Sequence, residues 1–310
     1  MKSLTLPGTE LTVSALAFGT GNWGTVSEQT LDTLYATFRE AGGTTFDTAH
    51  CYAFWIQKLG VCEKELGRCL RRDKRSDVVV ITKGGHPASL PDYPRPDAYL
   101  APELVARDVD ESLERLGVDS VDLWFAHRDD LRVPAGEIVD ALNQEFRRGK
   151  LKHLGASNWT SARLREANDY AKAHGLAPFV ASQPWWSLGK VTDLTKHDPT
   201  TPYFSPDDFV WHSQSQVAVF PWSSTANGYF AGKDKATWEN PTSARRRERV
   251  RELASKRAAT PNQVALAWLM HQPFPVVPLL GTTKLDHLKD ALGAPGLDLS
   301  SDEVGWLSAE

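Results

Sequence analysis

Cysteine is scarce in this 310-residue chain, and the three present, Cys51, Cys62 and Cys69, do not pair off into a disulfide framework. Cys62 and Cys69 stand seven apart on a predicted helix, a spacing unlike common zinc ligand sets. Free thiols in a reducing cytoplasm, with no bound metal, are therefore expected. No run approaches the roughly 18 apolar residues of a membrane span. The opening MKSLTLPGTE also lacks the apolar region of a secretory signal, so no membrane partner is expected. Charge of one sign is missing too: 35 basic against 39 acidic residues leave a net −4, which gives nucleic acid no electrostatic footprint. Nor is there a linker or low-complexity stretch, so residues 1–310 read as one domain. What is present is a hydrophobic content of 41%, enough for a sizeable core, and 11 tryptophans, several beside the candidate chemistry.

Residues 3–12 read as a hairpin turning at Pro7-Gly8, and then a rhythm begins. Buried strands are expected at 13–19, 44–49, 77–83, 121–127, 151–157, 179–183, 216–222 and 275–281, with helix-patterned sequence between them. Ser27 is placed to cap a helix running to about Ala41, and Pro102 suits the first turn of another. Strands alternating with helices imply a parallel sheet, and eight such units imply an α/β chain closed into one (β/α)8 TIM barrel. The long segments 84–101, 184–215 and 223–242 all follow strands, which in a barrel places them over the face where active sites are built.

A rival reading comes from Gly19-Thr20-Gly21-Asn22-Trp23-Gly24, which fits G-x-G-x-x-G, with Asp47 about 20 residues beyond. Against an open dinucleotide-binding sheet, Trp23 and the cap at Ser27 delay the helix whose N-terminus would meet the phosphate. That reading also leaves unexplained what the strand ends deliver: Asp47 in FDTAHCY, Tyr52 just beyond it, Lys83 in ITKGG and His127 in WFAHRDD. In a barrel these ends surround one cavity. A free phenol, with a pKa near ~10, is a reluctant proton donor, and an ammonium within about 4–6 Å brings that pKa down. Lys83 is placed to supply the charge, Asp47 to hold Lys83, and His127 to orient a carbonyl oxygen.

With these residues in order, the chain resembles the aldo-keto reductase family, NAD(P)H-dependent enzymes on a (β/α)8 barrel, over nearly its whole length. The resemblance makes Tyr52, Lys83, Asp47 and His127 the catalytic set, with Tyr52 as general acid in reducing an aldehyde or ketone to the alcohol. It sets Gly19, Thr20 and Asp47 along the cofactor. It makes Ser157, Asn158 and Gln183 the nicotinamide amide partners, and Trp222 the aromatic face beneath the nicotinamide ring. Ser223, Ser224 and Gly228 resemble the pyrophosphate loop, and Gly281, Thr282, Lys284, His287 and Asp290 the adenosine end. The family's usual basic residues and Glu-Asn pair after the last strand are replaced here by Gly281, Thr282, His287 and Asp290-Ala291. NADPH is accordingly a family expectation, and NAD remains open. The chain ends at Glu310, so the long C-terminal loop of some relatives is expected to be missing.

For substrate, Trp23, Trp55, His127 and Arg128 are expected to line the pocket, and one of Trp185 and Trp186 should face it. Aromatic walls with a few charges suit a sugar or an aromatic carbonyl. Arg128-Asp129-Asp130 reads as a polar rim, and the basic run Arg245 to Arg251 as a solvated helix face. The excursion from Leu188 to Gln216, carrying His197, Asp207, Asp208, Trp211 and His212, is too long for a simple connection and is expected to cover the pocket in part. Two other functions fit the same residues: a nicotinamide-binding regulatory subunit of a membrane protein, and a Schiff-base aldolase using Lys83. A monomer or small homo-oligomer is expected.

Overall fold

Residue parity along the strands decides which side chains enter the barrel. The computed structural model describes residues 1–73, 77–87 and 98–310. A two-stranded antiparallel hairpin, β1 (Ser3–Thr5) and β2 (Thr12–Ser14), precedes eight parallel strands. These are β3 (Ala17–Gly19), β4 (Thr45–Asp47), β5 (Val79–Gly84), β6 (Leu123–Ala126), β7 (Leu154–Ser157), β8 (Phe179–Gln183), β9 (Ala218–Val219) and β10 (Leu279–Leu280). They neighbour one another in chain order, with β10 beside β3. The ring is closed by Val219 N–H to the Pro275 carbonyl and Val277 N–H to the Val219 carbonyl, both 2.8 Å, and by Leu279 N–H to the Pro221 carbonyl at 3.0 Å. That closure removes the open Rossmann sheet as a reading of Gly19 to Gly24.

Inward positions at the lower levels are apolar: Ala17, Val79, Ile81, Leu123, Phe125, Ala181, Ala218, Phe220, Val277 and Leu279 form one buried cluster. Leu6, Leu11 and Val13 of the hairpin join it, so the hairpin plugs the barrel floor. Gly155 is required there, because a Cβ at that position would come within 2.5 Å of the Phe125 ring. The outward residues, among them Phe18, Phe46, Val80, Trp124 and Leu154, meet the helices in a second layer.

The helices form for local reasons. In α1 (Glu28–Glu40) the Ser27 hydroxyl accepts the Thr30 N–H as an N-cap, and Leu31, Leu34, Tyr35 and Phe38 recur on one face. Tyr35 stacks on Phe46 at 4.6 Å between centroids, and Phe38 meets the same ring edge-on at 5.2 Å. Each such fully buried side chain contributes roughly 1.5–3 kcal/mol. The other crossovers are α2 (Val61–Arg72), α3 (Pro102–Leu116), α4 (Ala135–Arg147), α5 (Ser161–His174) and α6 (Pro206–Ser215), with α7 (Pro241–Lys256) and α8 (Pro261–Met270) both between β9 and β10. The chain then forms α9 (Leu285–Ala291) and α10 (Ser301–Ser308).

Three expectations need correction. The second half of the Leu188–Gln216 excursion is α6, the ordinary crossover from β8 to β9, started by a capping box between Ser205 and Asp208. The Asp208 carboxylate also accepts the Ser161 N–H at 2.7 Å, fixing α6 to α5. The basic run on α7 is not wholly solvated. Arg246 is buried, donating to the Leu188 carbonyl at 2.8 Å and to the Ser308 carbonyl, while the Arg247 guanidinium lies over the Tyr229 ring. In the expected polar rim, Asp129 accepts from Arg163 at 3.2 Å and buried Asp130 from Arg132 at 2.7 Å, so both carboxylates are used within the fold. Of the long segment 84–101, residues 88–97 lie outside the described residues.

Candidate active site

The parity that makes the floor apolar brings polar residues inward at the C-terminal strand ends. Asp47 pairs across the sheet with Gly19 and Ile81, and Lys83 with Phe125. The Lys83 ammonium donates to Asp47 Oδ2 at 2.8 Å, to the Thr48 carbonyl at 2.5 Å and to the Tyr52 phenol oxygen at 3.2 Å. From the far side of the barrel, Gln183 Nε2 donates to Asp47 Oδ1 at 2.9 Å. His127 stands edge-on to Tyr52 with 5.8 Å between ring centroids. The four residues singled out in the sequence thus stand together, with Asp47, Lys83 and His127 buried and Tyr52 half-buried.

Burial dominates the electrostatics. It opposes charge on Lys83, yet the neighbouring Asp47 carboxylate and Tyr52 oxygen outweigh it and hold the ammonium above the usual lysine pKa. Burial also pushes the Tyr52 phenol up to about 12, with Lys83 pulling in the opposite direction. The expectation of a net lowered phenol pKa is therefore corrected: Lys83 moderates a rise. At neutral pH the phenol stays protonated. His127 is held well below the ordinary imidazole range by burial, with His86 and Arg128 adding to the effect, so its ring is neutral.

A network beneath the site went unread in the sequence. His50 Nε2 lies 2.7 Å from Glu111, Arg115 donates to the His50 carbonyl and to buried Glu63 at 3.1 Å each, and Thr82 Oγ1 donates to Glu63 at 2.7 Å. It ties the loop carrying Tyr52 to the strand carrying Lys83.

Next to these residues, Ser157 Oγ donates to the Gln183 carbonyl at 2.9 Å and accepts from Asn158 Nδ2 at 2.9 Å. Asn158 adopts a left-handed backbone (φ 60°), and its Oδ1 accepts the Trp222 indole N–H at 3.0 Å. One face of Trp222 stacks on Trp185, 5.2 Å apart and 12° from parallel. Of the Trp pair, Trp185 lies against Trp222, and Trp186 packs away from it on Phe204 and Phe274.

A cleft of about 450 Å³ opens beside Trp222, lined by Ser223, Ser224, Thr225, Asn227, Gly228, Lys233, Gly281, Thr282, His287 and Asp290 among others. Its character fits the phosphates and sugars of a nicotinamide dinucleotide. Ser223, Ala226 and Asn227 all have positive φ, a conformation non-glycine residues seldom adopt, and Gly228 continues the curl. Among the described residues, the N–H groups of Ser224 and Thr225 donate to no protein acceptor. A Cβ on Gly281 would meet nothing within 4 Å, so bare backbone faces the cleft there. Asn262 lines the same cleft with a buried, unpartnered Oδ1, and Thr20 Oγ1 is likewise buried and unpartnered. Gly19, beneath, packs its backbone on the Leu280 carbonyl, which a Cβ would approach to 3.2 Å.

Not every expected residue lines the cleft or the mouth. Lys284 is exposed and does not line the cleft. Asp290 lines it, but its carboxylate is engaged by Thr260 at 2.7 Å and Asn262 at 3.3 Å. Trp23 is a core residue, 1% exposed and edge-on to Phe18 and Phe46, because the one-turn helix at Trp23–Thr25 turns it back under α1 and α2. Trp55 is 48% exposed, 6.1 Å from the Tyr52 ring, and stands at the mouth. Arg128 donates to the His127 carbonyl at 3.0 Å and to Thr200 at 3.1 Å. Asn22, Thr225, Asn227, Lys233 and Asn262 were missed. Lys233 had a signal, five residues after Gly228 in the same segment, whereas Asn262 had none.

A family model described as the aldo/keto reductase family matches residues 15–309. The chain belongs to that family. This aldo/keto reductase is 30% identical over 281 residues to Probable aldo-keto reductase 1 of Glycine max, covering 85% of this chain and 74% of that one. It is 26% identical over 317 residues to norsolorinic acid reductase A of Aspergillus parasiticus, covering 95% and 75%. A crystal structure of a thermostable aldo-keto reductase in complex with the inhibitor epalrestat matches it with a TM-score of 0.77 over 99% of both chains, at 22% identity, a likeness of fold. The protein is an oxidoreductase that reduces carbonyl groups with a nicotinamide cofactor. Neither the regulatory subunit nor the aldolase gains support. A Schiff-base lysine must be a neutral amine, and Lys83 is held charged. Among the described residues no helix is long and apolar enough to cross a membrane.

Proposed function

We propose that this aldo/keto reductase is an NADPH-dependent reductase of aldehydes or ketones with Tyr52 as the general acid. The observation that carries the reading is the hydrogen-bonded group at the strand ends, in which buried Lys83 joins buried Asp47 to the Tyr52 phenol. When bound, the reduced nicotinamide supplies the hydride to the carbonyl carbon. Tyr52 delivers its phenolic proton to the carbonyl oxygen, and Lys83 stabilises the phenolate left behind. Asp47 holds Lys83 in place, and Gln183 holds Asp47. His127, neutral, donates from a ring nitrogen to the same oxygen and orients it. Trp222 gives the nicotinamide a flat support, with Ser157, Asn158 and Gln183 at its amide. Ser223, Ser224 and Gly228 hold the pyrophosphate with Lys233, and Thr282 and His287 face the adenosine end.

The substrate is a carbonyl on a flat apolar body, an aromatic aldehyde or ketone, with Trp55 and Tyr52 as its walls. Residues 191–204 cover the mouth: Thr200 ties to Arg128, and His197 meets Trp185 edge-on at 4.9 Å. The three buried free thiols suit a cytoplasmic protein, acting as one domain in a monomer or small homo-oligomer. The direct test is a panel of aromatic carbonyls, simple aldehydes and sugars, scored by absorbance of reduced cofactor with NADPH and NADH in turn. Turnover of aromatic carbonyls with NADPH preferred is expected. Sugars as the sole substrates, or a preference for NADH, would revise those parts.

A further inference from the structure

Three consecutive strand ends place a thiol and two imidazoles together, and the reduction mechanism uses only one of the three. Cys51 lies in the loop after β4, His86 just past the end of β5, and His127 at the end of β6. Cys51 Sγ is 3.4 Å from His127 Nδ1. The His86 and His127 rings are 4.8 Å apart between centroids, at 70°. One ligand atom from each residue lies within 4.8 Å of the others. All three residues are at least nine-tenths buried: Cys51 is 1% exposed, His127 6% and His86 9%.

Zinc takes sulfur at about 2.3 Å and imidazole nitrogen at about 2.0–2.1 Å, so tetrahedral donors sit roughly 3.4–3.6 Å from one another. Cys51 and His127 already have that separation. The widest of the three pairs, within 4.8 Å, must close by ~1 Å for all three atoms to reach one ion. One thiolate and two imidazoles match the donor set of zinc and its neighbours, with a fourth position left open, as at non-structural zinc centres.

We propose that Cys51, His86 and His127 form a three-ligand site for zinc or a similarly thiophilic divalent ion, and that filling it shuts off carbonyl reduction. As the sulfur–metal bond forms, the Cys51 thiol proton leaves to solvent, and both imidazoles bind in their neutral form. The ion then holds His127 away from the carbonyl oxygen and directs its open position into the mouth beside Tyr52. Lys83 and Arg128 stand close enough to act on His127, so their charges oppose the ion and keep binding reversible.

The test titrates chelator-stripped full-length protein with Co2+ and Cd2+, reading the thiolate-to-metal charge-transfer absorption, with Zn2+ competition for affinity. One equivalent per chain is expected. The band should vanish in Cys51→Ser and persist in Cys62→Ser. Groups that merely support a ligand are worth about 10–100-fold in metal affinity, so losing a ligand in His86→Gln should weaken binding on the order of 100-fold. Zinc inhibition, reversed by chelator, should weaken by the same factor in that variant. Should Cys51→Ser fail to fold, His86→Gln decides the matter. No charge-transfer band from folded protein, or a band or inhibition unaltered in Cys51→Ser and His86→Gln, overturns the proposal. The binding readout needs no turnover, so it stands or falls apart from the proposed reaction.

Discussion

The Lys83 ammonium lies 3.2 Å from the Tyr52 phenol oxygen and 4.8 Å from the centre of its ring, so one cation touches both the hydroxyl and the π-face. Burial raises the phenol to about 12 against that pull. The donor therefore stays protonated across neutral pH, and carbonyl reduction should be flat from about pH 6 to 9. Alcohol oxidation needs the phenolate and should rise about tenfold per pH unit below that pKa. Rate profiles in both directions check this; a reduction rate falling through pH 7 would point to a donor that titrates near neutrality.

Lys83→Met removes the cation from an ion pair whose side chains are 1% and 2% exposed. Breaking a buried pair by deleting one partner costs about 3–5 kcal/mol. Urea unfolding should show that loss. It should be partly restored in Lys83→Met/Asp47→Asn, where no lone carboxylate is left behind. Equal stability of the single and double variants would deny the pair its structural role.

Much of this was legible because strand ends and residue parity are written in the sequence. FDTAHCY, ITKGG and WFAHRDD each finish an apolar run with a polar residue at an inward position, which puts Asp47, Lys83 and His127 in one mouth. What failed to show has physical reasons. Residues 206–215 (PDDFVWHSQS) carry no clear apolar stripe, so α6 was hidden although its cap at Ser205 was present. Trp23 and Trp55 both sit in one-turn helices after strands, and only the packing of Trp23 on Phe18 and Phe46, a contact between separate segments, sends its ring into the core. The use of Asp290 by Thr260 and Asn262 is a contact between distant segments that no local pattern encodes.

Trp222 stacks on Trp185 by one face, and in the proposed function its other face supports the nicotinamide. Adding NADPH should quench its emission, and Trp222→Phe should remove most of that quenching while Trp185→Phe removes less. A titration in which Trp222→Phe quenches as fully as the parent chain would move the nicotinamide elsewhere.

The segment 191–204 is tied to the mouth by the Thr200 hydrogen bond to Arg128. Shortening residues 192–201 without unfolding the barrel should raise KM about tenfold, the scale of one lost hydrogen bond to a charged group, with kcat less affected. Unchanged KM for every substrate would remove the covering role.

Tyr52→Phe tests the account most directly. The substitution keeps the ring and its packing but deletes the hydroxyl at the end of the Lys83 contact. Folding, by circular dichroism, and NADPH binding, by fluorescence, should survive. The rate of carbonyl reduction should fall by at least the ~10²–10⁴-fold typical of general acid catalysis. A folded, cofactor-binding Tyr52→Phe protein that reduces its best carbonyl at nearly the parent rate would contradict the assignment and make His127 the proton donor.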